Sequence, residues 1–285
     1  MFRVPERLFH RGPVSPDAAL KLRYLGTAGF EVQLAQRTLL LDPFLSRTGL
    51  LRTALRPLKP NGPLLRRHLP RADDVLVGHA HFDHALDAPE VCRQTGARLI
   101  GSRSVCNIGR AHGLPEEQLV ETQGGEDIAC GAVTVHGMKS THGRVYFGRV
   151  TLPGDIPRPP RWPPRMTDLR HGQVLNWYVE GDGLRMVHID SAEFFASELG
   201  GRTCDVLCLC AIGRAWRRRY VEEAIELMKP RVVIACHWDF FFRPIHKPMW
   251  PLPGVDLEGF VREIEACGVE AVVLDAFQSY GMDRA

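Results

Sequence analysis

The run His79-Ala80-His81-Phe82-Asp83-His84 places four side chains able to ligate a first-row metal within six residues. In an extended segment side chains repeat every two residues, so His79 and His81 emerge on the same side. The chain then turns, and Asp83 and His84 can face the same point from the other flank. Packing explains such a cluster poorly. Grouped imidazoles repel when protonated and waste hydrogen-bonding groups when neutral, and a bound cation resolves both problems. Nitrogen and carboxylate donors together suit Zn²⁺, and Mn²⁺ and Fe²⁺ accept the same set.

Other chemistries leave weaker traces. No Gly-x-Ser-x-Gly, Walker-type or Gly-x-Gly-x-x-Gly pattern occurs, which removes the serine-hydrolase and nucleotide-binding readings. Cys204, Cys208 and Cys210 offer thiolates, yet Cys208 and Cys210 lie in Val206-Leu207-Cys208-Leu209-Cys210, where cysteine usually serves as a small buried apolar residue. Cys236 adjoins His237, and adjacent strand residues point oppositely, so it should face the core.

The elements that must position the histidine run follow from patterning. Asp74 to Gly78 reads as a short apolar strand feeding into it. Upstream, Lys21–Gly26, Gly29–Leu34 and Thr38–Asp42 read as strands joined by tight turns, after an irregular extension over residues 1–20. Downstream, Asp87-Ala88-Pro89-Glu90 has the N-cap and N3 acid of a capping box and opens a helix towards Thr95. Strand Arg98–Gly101, helix Arg103–His112 and strand Ala132–Gly137 come next. A proline-rich stretch, Leu152–His171, excludes regular structure. Strands Gln173–Glu180 and Leu184–Asp190 restart a meander. Then strand Asp205–Cys210, helix Arg217–Met228, strand Arg231–Cys236, helix Leu257–Cys267 and strand Glu270–Asp275 alternate. Meander then β/α, twice over, suits two packed sheets with helices outside, an α/β chain with one domain over residues 21–285.

Here the sequence resembles the metallo-β-lactamase superfamily, whose mark is His-x-His-x-Asp-His after a strand. Leu25-Gly26-Thr27-Ala28-Gly29-Phe30 and Leu41-Asp42-Pro43 resemble its opening strands, Ser140-Thr141-His142 its next ligand, and Ala235-Cys236-His237-Trp238 its last. His188-Ile189-Asp190-Ser191 is similar to the segment of its bridging aspartate, with Ile189 where the family has glycine. Order and spacing agree over about residues 21–275. The branch it looks most like contains ascorbate-6-phosphate lactonase and N-acyl-phosphatidylethanolamine phospholipase D.

The resemblance implies a four-layer αββα sandwich and two divalent cations, Zn²⁺ foremost. One would take His79, His81 and His142, the other Asp83, His84 and His237, with Asp190 bridging. It implies hydrolysis of an ester-type bond, a phosphodiester or a lactone, by a hydroxide shared between the cations. Asp83 and Asp190 would be catalytic, with His188 or a metal-bound water protonating the leaving group. His188 shares a strand face with Asp190, so this role stands beside plain packing. Asp42 would orient a ligand histidine or simply form the turn before Pro43.

Charge and composition bound the substrate. The chain has 285 residues, 36 Lys and Arg against 33 Asp and Glu, and a net charge of +3. Residues 43–72 hold seven basic side chains and no acidic one, leaving the remainder negative. The positive surface is therefore local, which argues against a nucleic-acid coat. Arg52 and Arg56 in that Leu-rich insertion, Trp162 in the second, and Phe241 and His246 after the last ligand would contact a small or lipid-like anionic, partly apolar substrate. Residues 45–69 would then act as a lid, against the plainer reading of a solvated loop whose leucines pack underneath. His171 and His246 are expected at the surface, His136 as a satisfied core or edge residue of its strand. Two rivals to the hydrolase are a nuclease of the same fold and a catalytically silent metal- or partner-binding protein. No apolar run is long enough for a membrane span and no secretory signal is visible. Eight scattered cysteines favour free thiols and a cytoplasmic protein, which, like relatives of this fold, could associate with itself.

Overall fold

The strand signals resolve into two seven-stranded sheets in a computed structural model that describes residues 4–284. In the first, β1 (Leu20–Gly26), β2 (Gly29–Leu34) and β3 (Arg37–Leu41) form an antiparallel meander. β4 (Asp74–Val77), β5 (Arg98–Gly101) and β6 (Leu119–Glu121) then add in parallel. The second sheet repeats this order. β7 (Asp127–Cys130), β8 (Val133–Ser140), β9 (Val174–Gly181) and β10 (Leu184–Ile189) are antiparallel. β11 (Val206–Cys210), β12 (Val232–Cys236) and β13 (Glu270–Val272) follow in parallel. β14 (Ser279–Met282) returns to pair with β1 in the first sheet.

Period-two burial separates the layers. Leu39 and Leu41 of β3 and Leu76 of β4 join the core between the sheets, where they meet Val135, Trp177 and Val187. Leu40, Val75 and Val77 point the other way, into a second cluster that includes Val91, Cys92, Val105 and Ile108. Strands buried on both faces read as continuous apolar runs, as these do. The helices are α1 (Leu50–Leu55), α2 (Gly62–His68), α3 (Phe82–Ala85), α4 (Ala88–Thr95), α5 (Arg103–His112), α6 (Ala196–Leu199), α7 (Tyr220–Met228) and α8 (Leu257–Ala266). α4 and α5 cover the first sheet, and α8 contacts α7 and β13 at the second. The layers are αββα.

Several local expectations need correction. The insertion at 43–72 is not loop throughout, because it forms α1 and α2, the latter capped by Asn61, whose Oδ1 accepts from Leu64 N at 3.2 Å. α7 starts at Tyr220, since Arg219 adopts φ +56° and cannot lie inside a helix. Asp87 makes no capping box. Its Oδ2 accepts instead from Leu45 N and Ser46 N at 2.7 and 2.8 Å, while Glu90 pairs with Arg93 at 2.7 Å. The carboxyl of Asp87 is pushed up to about 6 by burial, against the pull of those donors. Of the expected extension, residues 1–3 lie outside the described residues, as does Ala285. The rest holds one helical turn, Glu6–Leu8, and a bridge from Phe9 to Val273.

Candidate metal centre

Each polar side chain of the site leaves the carboxyl end of a strand: Asp42 after β3, the histidine run after β4, His142 after β8, Asp190 after β10 and His237 after β12. That is where sheets with parallel strands collect their ligands. Two sheets contribute to one point because their carboxyl ends meet there. Glycine makes the approach close enough. A Cβ on Gly78 would fall 2.2 Å from Asp190 Oδ2.

Three overlapping sets of donors result, His79–His81–His142, His79–His84–Asp190 and Asp83–His84–His237, each with its ligand atoms within 4.8 Å of one another. Outer hydrogen bonds settle which nitrogen faces inward. His81 Nε2 lies 3.1 Å from Thr151 O, His142 Nδ1 2.7 Å from Gly143 O, His84 Nδ1 2.9 Å from Asp42 Oδ2, and His79 Nδ1 2.6 Å from Asp190 Oδ2. A neutral imidazole has a single N–H, and each of these partners is an acceptor, so each ring spends its proton outward. Bare lone pairs then face each other at His79 Nε2 and His81 Nδ1, 3.0 Å apart, and His84 Nε2 points at His237 Nε2 across 3.3 Å. A shared cation would relieve that repulsion. Metal–nitrogen bonds of about 2.0–2.1 Å set neighbouring donors about 3.0–3.4 Å apart, so the spacing fits a metal. Asp190 Oδ1, buried with no hydrogen-bond partner, fits one too.

Electrostatics keep the donors in their ligating forms. Burial lowers His79 and His84 far below the usual imidazole range, helped by neighbouring rings. Burial, then His142, brings His81 down to about 4. Burial likewise lowers His142. Burial alone would raise Asp83, but the rings of His84 and His237 outweigh it and hold the carboxyl far below its ordinary value. The rings of His79, His81, His84 and His142 are therefore neutral and Asp83 is ionised.

Buried groups brace this arrangement. Asp42, at φ +42°, accepts from Gly78 N at 2.8 Å with one oxygen and orients His84 with the other. Asp42 thus sits in the turn before Pro43 and also holds the His84 ring. Ser191 Oγ accepts from Gly143 N at 2.9 Å and pins the turn of His142. Loss of such a bracing partner typically weakens metal binding 10- to 100-fold. Asp42→Ala should therefore lower affinity at the Asp83–His84–His237 group by about that factor. Competition with a chromophoric chelator would measure it, and unchanged affinity would show that packing alone orients His84.

The expected substrate contacts divide. Phe241 lines the cavity over the metal cluster, its ring centroid 5.5 Å from that of His237. Arg52 and Arg56 line a different cavity. Trp162 packs on His112 at 4.7 Å between ring centroids and lines neither. His246 borders a groove beside residues 45–64. His188 is enclosed between Phe30 and Ala28, its Nε2 2.8 Å from Ala28 O, and does not line the metal cavity, so it has no path to a leaving group. His171, expected at the surface, is half-buried, its ring centroid 5.8 and 5.7 Å from those of His81 and His142. The structure adds one residue that sequence reasoning missed. Asp239 anchors the Thr27 turn, accepting from Thr27 N at 2.6 Å. Its place two residues after His237 was the available signal.

Fold and cluster together define a metallo-hydrolase type of protein. A family model described as a beta-lactamase superfamily domain matches residues 37–274, and the chain belongs to that superfamily. A UPF0173 metal-dependent hydrolase of Methanopyrus kandleri is 28% identical over 268 residues, 92% of this chain and 99% of that one. Among solved structures, a metallo hydrolase from Ignicoccus hospitalis superposes with a TM-score of 0.62 at 20% identity, covering 93% of this chain and 99% of that one. CmlA, a diiron β-hydroxylase from Streptomyces venezuelae, gives 0.61 at 17% identity over 96% of this chain and 55% of its own. Such distant likeness shows the fold alone. The chain is a metal-dependent hydrolase of the metallo-β-lactamase fold, with a His/Asp cluster that could bind metal. Among the described residues no helix is long and apolar enough to cross a membrane.

Proposed function

We propose that the enzyme holds two divalent cations, with Zn²⁺ the best match to the donors, and cleaves an ester-type bond, a lactone or a phosphodiester, in a small substrate with an apolar body. The observation that carries this reading is the pair of outer donor sets, His79–His81–His142 and Asp83–His84–His237, joined through the set that contains Asp190. Bound there, the cations would bring the pKa of a water from about 15.7 towards about 7 and polarise the substrate oxygen. Asp190, through its unpartnered Oδ1, orients the attacking water.

The cavity over the cluster has a volume of about 360 Å³. Val145, Leu152, Met166, Ile212, Phe241 and Phe242 form its walls, and no Lys or Arg among the described residues lines it. Such walls exclude water and hold an alkyl or aromatic group, which strengthens the electrostatics at the reacting end. They give a polyanionic nucleic-acid backbone no cation to rest on. The eight cysteines, unpaired among the described residues, fit work in a reducing compartment.

Metal analysis of the purified protein, coupled to a panel of lactones, phosphodiesters, acyl amides and phosphorylated sugars with zinc and with manganese, tests this. Two metal equivalents and turnover of one ester class are expected. Full activity in the metal-stripped protein would refute the scheme.

A further inference from the structure

The two insertions that the sequence set apart meet beside the metal cavity and enclose another of about 810 Å³. A backbone bond from Leu58 N to Pro164 O, 2.7 Å long, ties them together. Five cations line the space, Arg52, Arg56 and Lys59 from the first insertion and Arg161 and Arg165 from the second, against one carboxylate, Asp168. That carboxylate is already engaged by the backbone N–H of Arg165 at 2.8 Å. Among the described residues none of the five cations has a carboxylate within 4.0 Å. Elsewhere arginines find such partners, as Arg93, Arg98 and Arg110 do at 2.7, 2.6 and 2.8 Å.

Unpaired like charges from two separate insertions, all five of them exposed, repel one another across the cavity they line. An anion reverses the sign of that interaction. A single carboxylate would leave most of the charge uncompensated, whereas two phosphoryl groups bring nearly enough. Guanidinium forks match phosphate oxygens two at a time. The volume lies within the range of about 300–1,000 Å³ usual for small-molecule sites and far exceeds one phosphate. Ser46 and Thr48 add hydroxyls, and Leu58 and Leu86 give an apolar floor for an organic scaffold. We propose that this cavity binds a small molecule bearing two or more phosphoryl groups, at a site distinct from the metal centre. It shares no lining residue with the metal cavity, although Arg165 and Met166 place the two back to back.

Calorimetric titration of the metal-loaded enzyme with fructose bisphosphate, at near-physiological salt, reads the site. Wild type and Asp83→Ala should bind alike, and the double variant Arg56→Glu/Arg165→Glu at least about tenfold more weakly, each such step being 1.4 kcal/mol. Both reversed positions are exposed, so melting temperature and metal content should stay unchanged. No binding to wild type, equal binding to the double variant, or binding lost with the metals would each overturn the proposal. Kinetics separate the two sources of the phosphoryl groups. If they belong to the substrate, the double variant raises KM for a phosphorylated ester and leaves p-nitrophenyl acetate unaffected. If they belong to a separate effector, fructose bisphosphate alters p-nitrophenyl acetate turnover and the double variant abolishes the response. Failure to hydrolyse any ester would sink the hydrolytic reading alone and leave the binding result standing.

Discussion

Asp83→Ala should lower kcat/KM for whichever ester the enzyme cleaves by at least about a thousandfold, equivalent to roughly 4 kcal/mol of transition-state stabilisation. The same variant should lose about one metal equivalent per chain. Asp83 is the one carboxylate in the group with His84 and His237, its Oδ2 lying 3.8 and 3.4 Å from their Nε2 atoms. It is buried and held ionised by those rings. Without it, a cation there would face two neutral imidazoles in a dry pocket, where an uncompensated charge is costly. His79→Ala should go further, because His79 belongs to two of the three donor sets. Metal content by mass spectrometry, read beside turnover and a melting curve, separates lost metal from lost folding. Near wild-type turnover at half the metal content would mean that a single cation suffices.

What the sequence disclosed about this site was local in origin. His79 to His84 announce themselves because six consecutive residues carry the donors and one strand delivers them. His142, Asp190 and His237 are isolated positions that periodicity only puts at strand ends, and the family resemblance linked them to the cluster. Most meander strands and the helices α4, α5, α7 and α8 followed from alternation and turn residues, but β7 and β14 went unread, and β6, with three residues, is too short to leave a period. Errors arose where a tertiary contact competed with a local rule. Asp87 has the type and spacing of an N-cap, yet two backbone donors at Leu45 and Ser46 claim its carboxylate. Charge set Arg52 and Arg56 apart, but their direction depends on how α1 folds back, which no spacing encodes.

Asp239→Ala should cost about 3–5 kcal/mol of folding free energy, the usual loss when one partner of a buried ion pair is removed. The side chains of Arg47 and Asp239 are 2% and 1% exposed, with Nη1 and Oδ2 2.5 Å apart. Arg47 Nη2 also donates to Thr27 Oγ1 at 3.0 Å, and Tyr24 Oη lies 2.7 Å from Asp239 Oδ1. Only glycine at position 26 admits this arginine, because a Cβ there would sit 2.0 Å from Nη2. Truncating Asp239 strands a buried guanidinium and leaves Thr27 N without its acceptor. Thr27 holds φ +57°, and its carbonyl accepts from the backbone N–H of His237 at 2.5 Å, itself at φ +51°. The network therefore props a ligand as well as the fold. A fall of roughly 10 °C in Tm should accompany weaker metal binding at the Asp83–His84–His237 group. Arg47→Met/Asp239→Leu, which removes both charges, should recover most of the stability, because an apolar pair of similar bulk often replaces a buried ion pair without loss. It should not recover the metal affinity, since Thr27 N still lacks its acceptor and the turn under His237 stays loose. A double variant that regained both would show that the pair merely fills space, and an Asp239→Ala protein melting like wild type would show that the buried charges are not coupled at all.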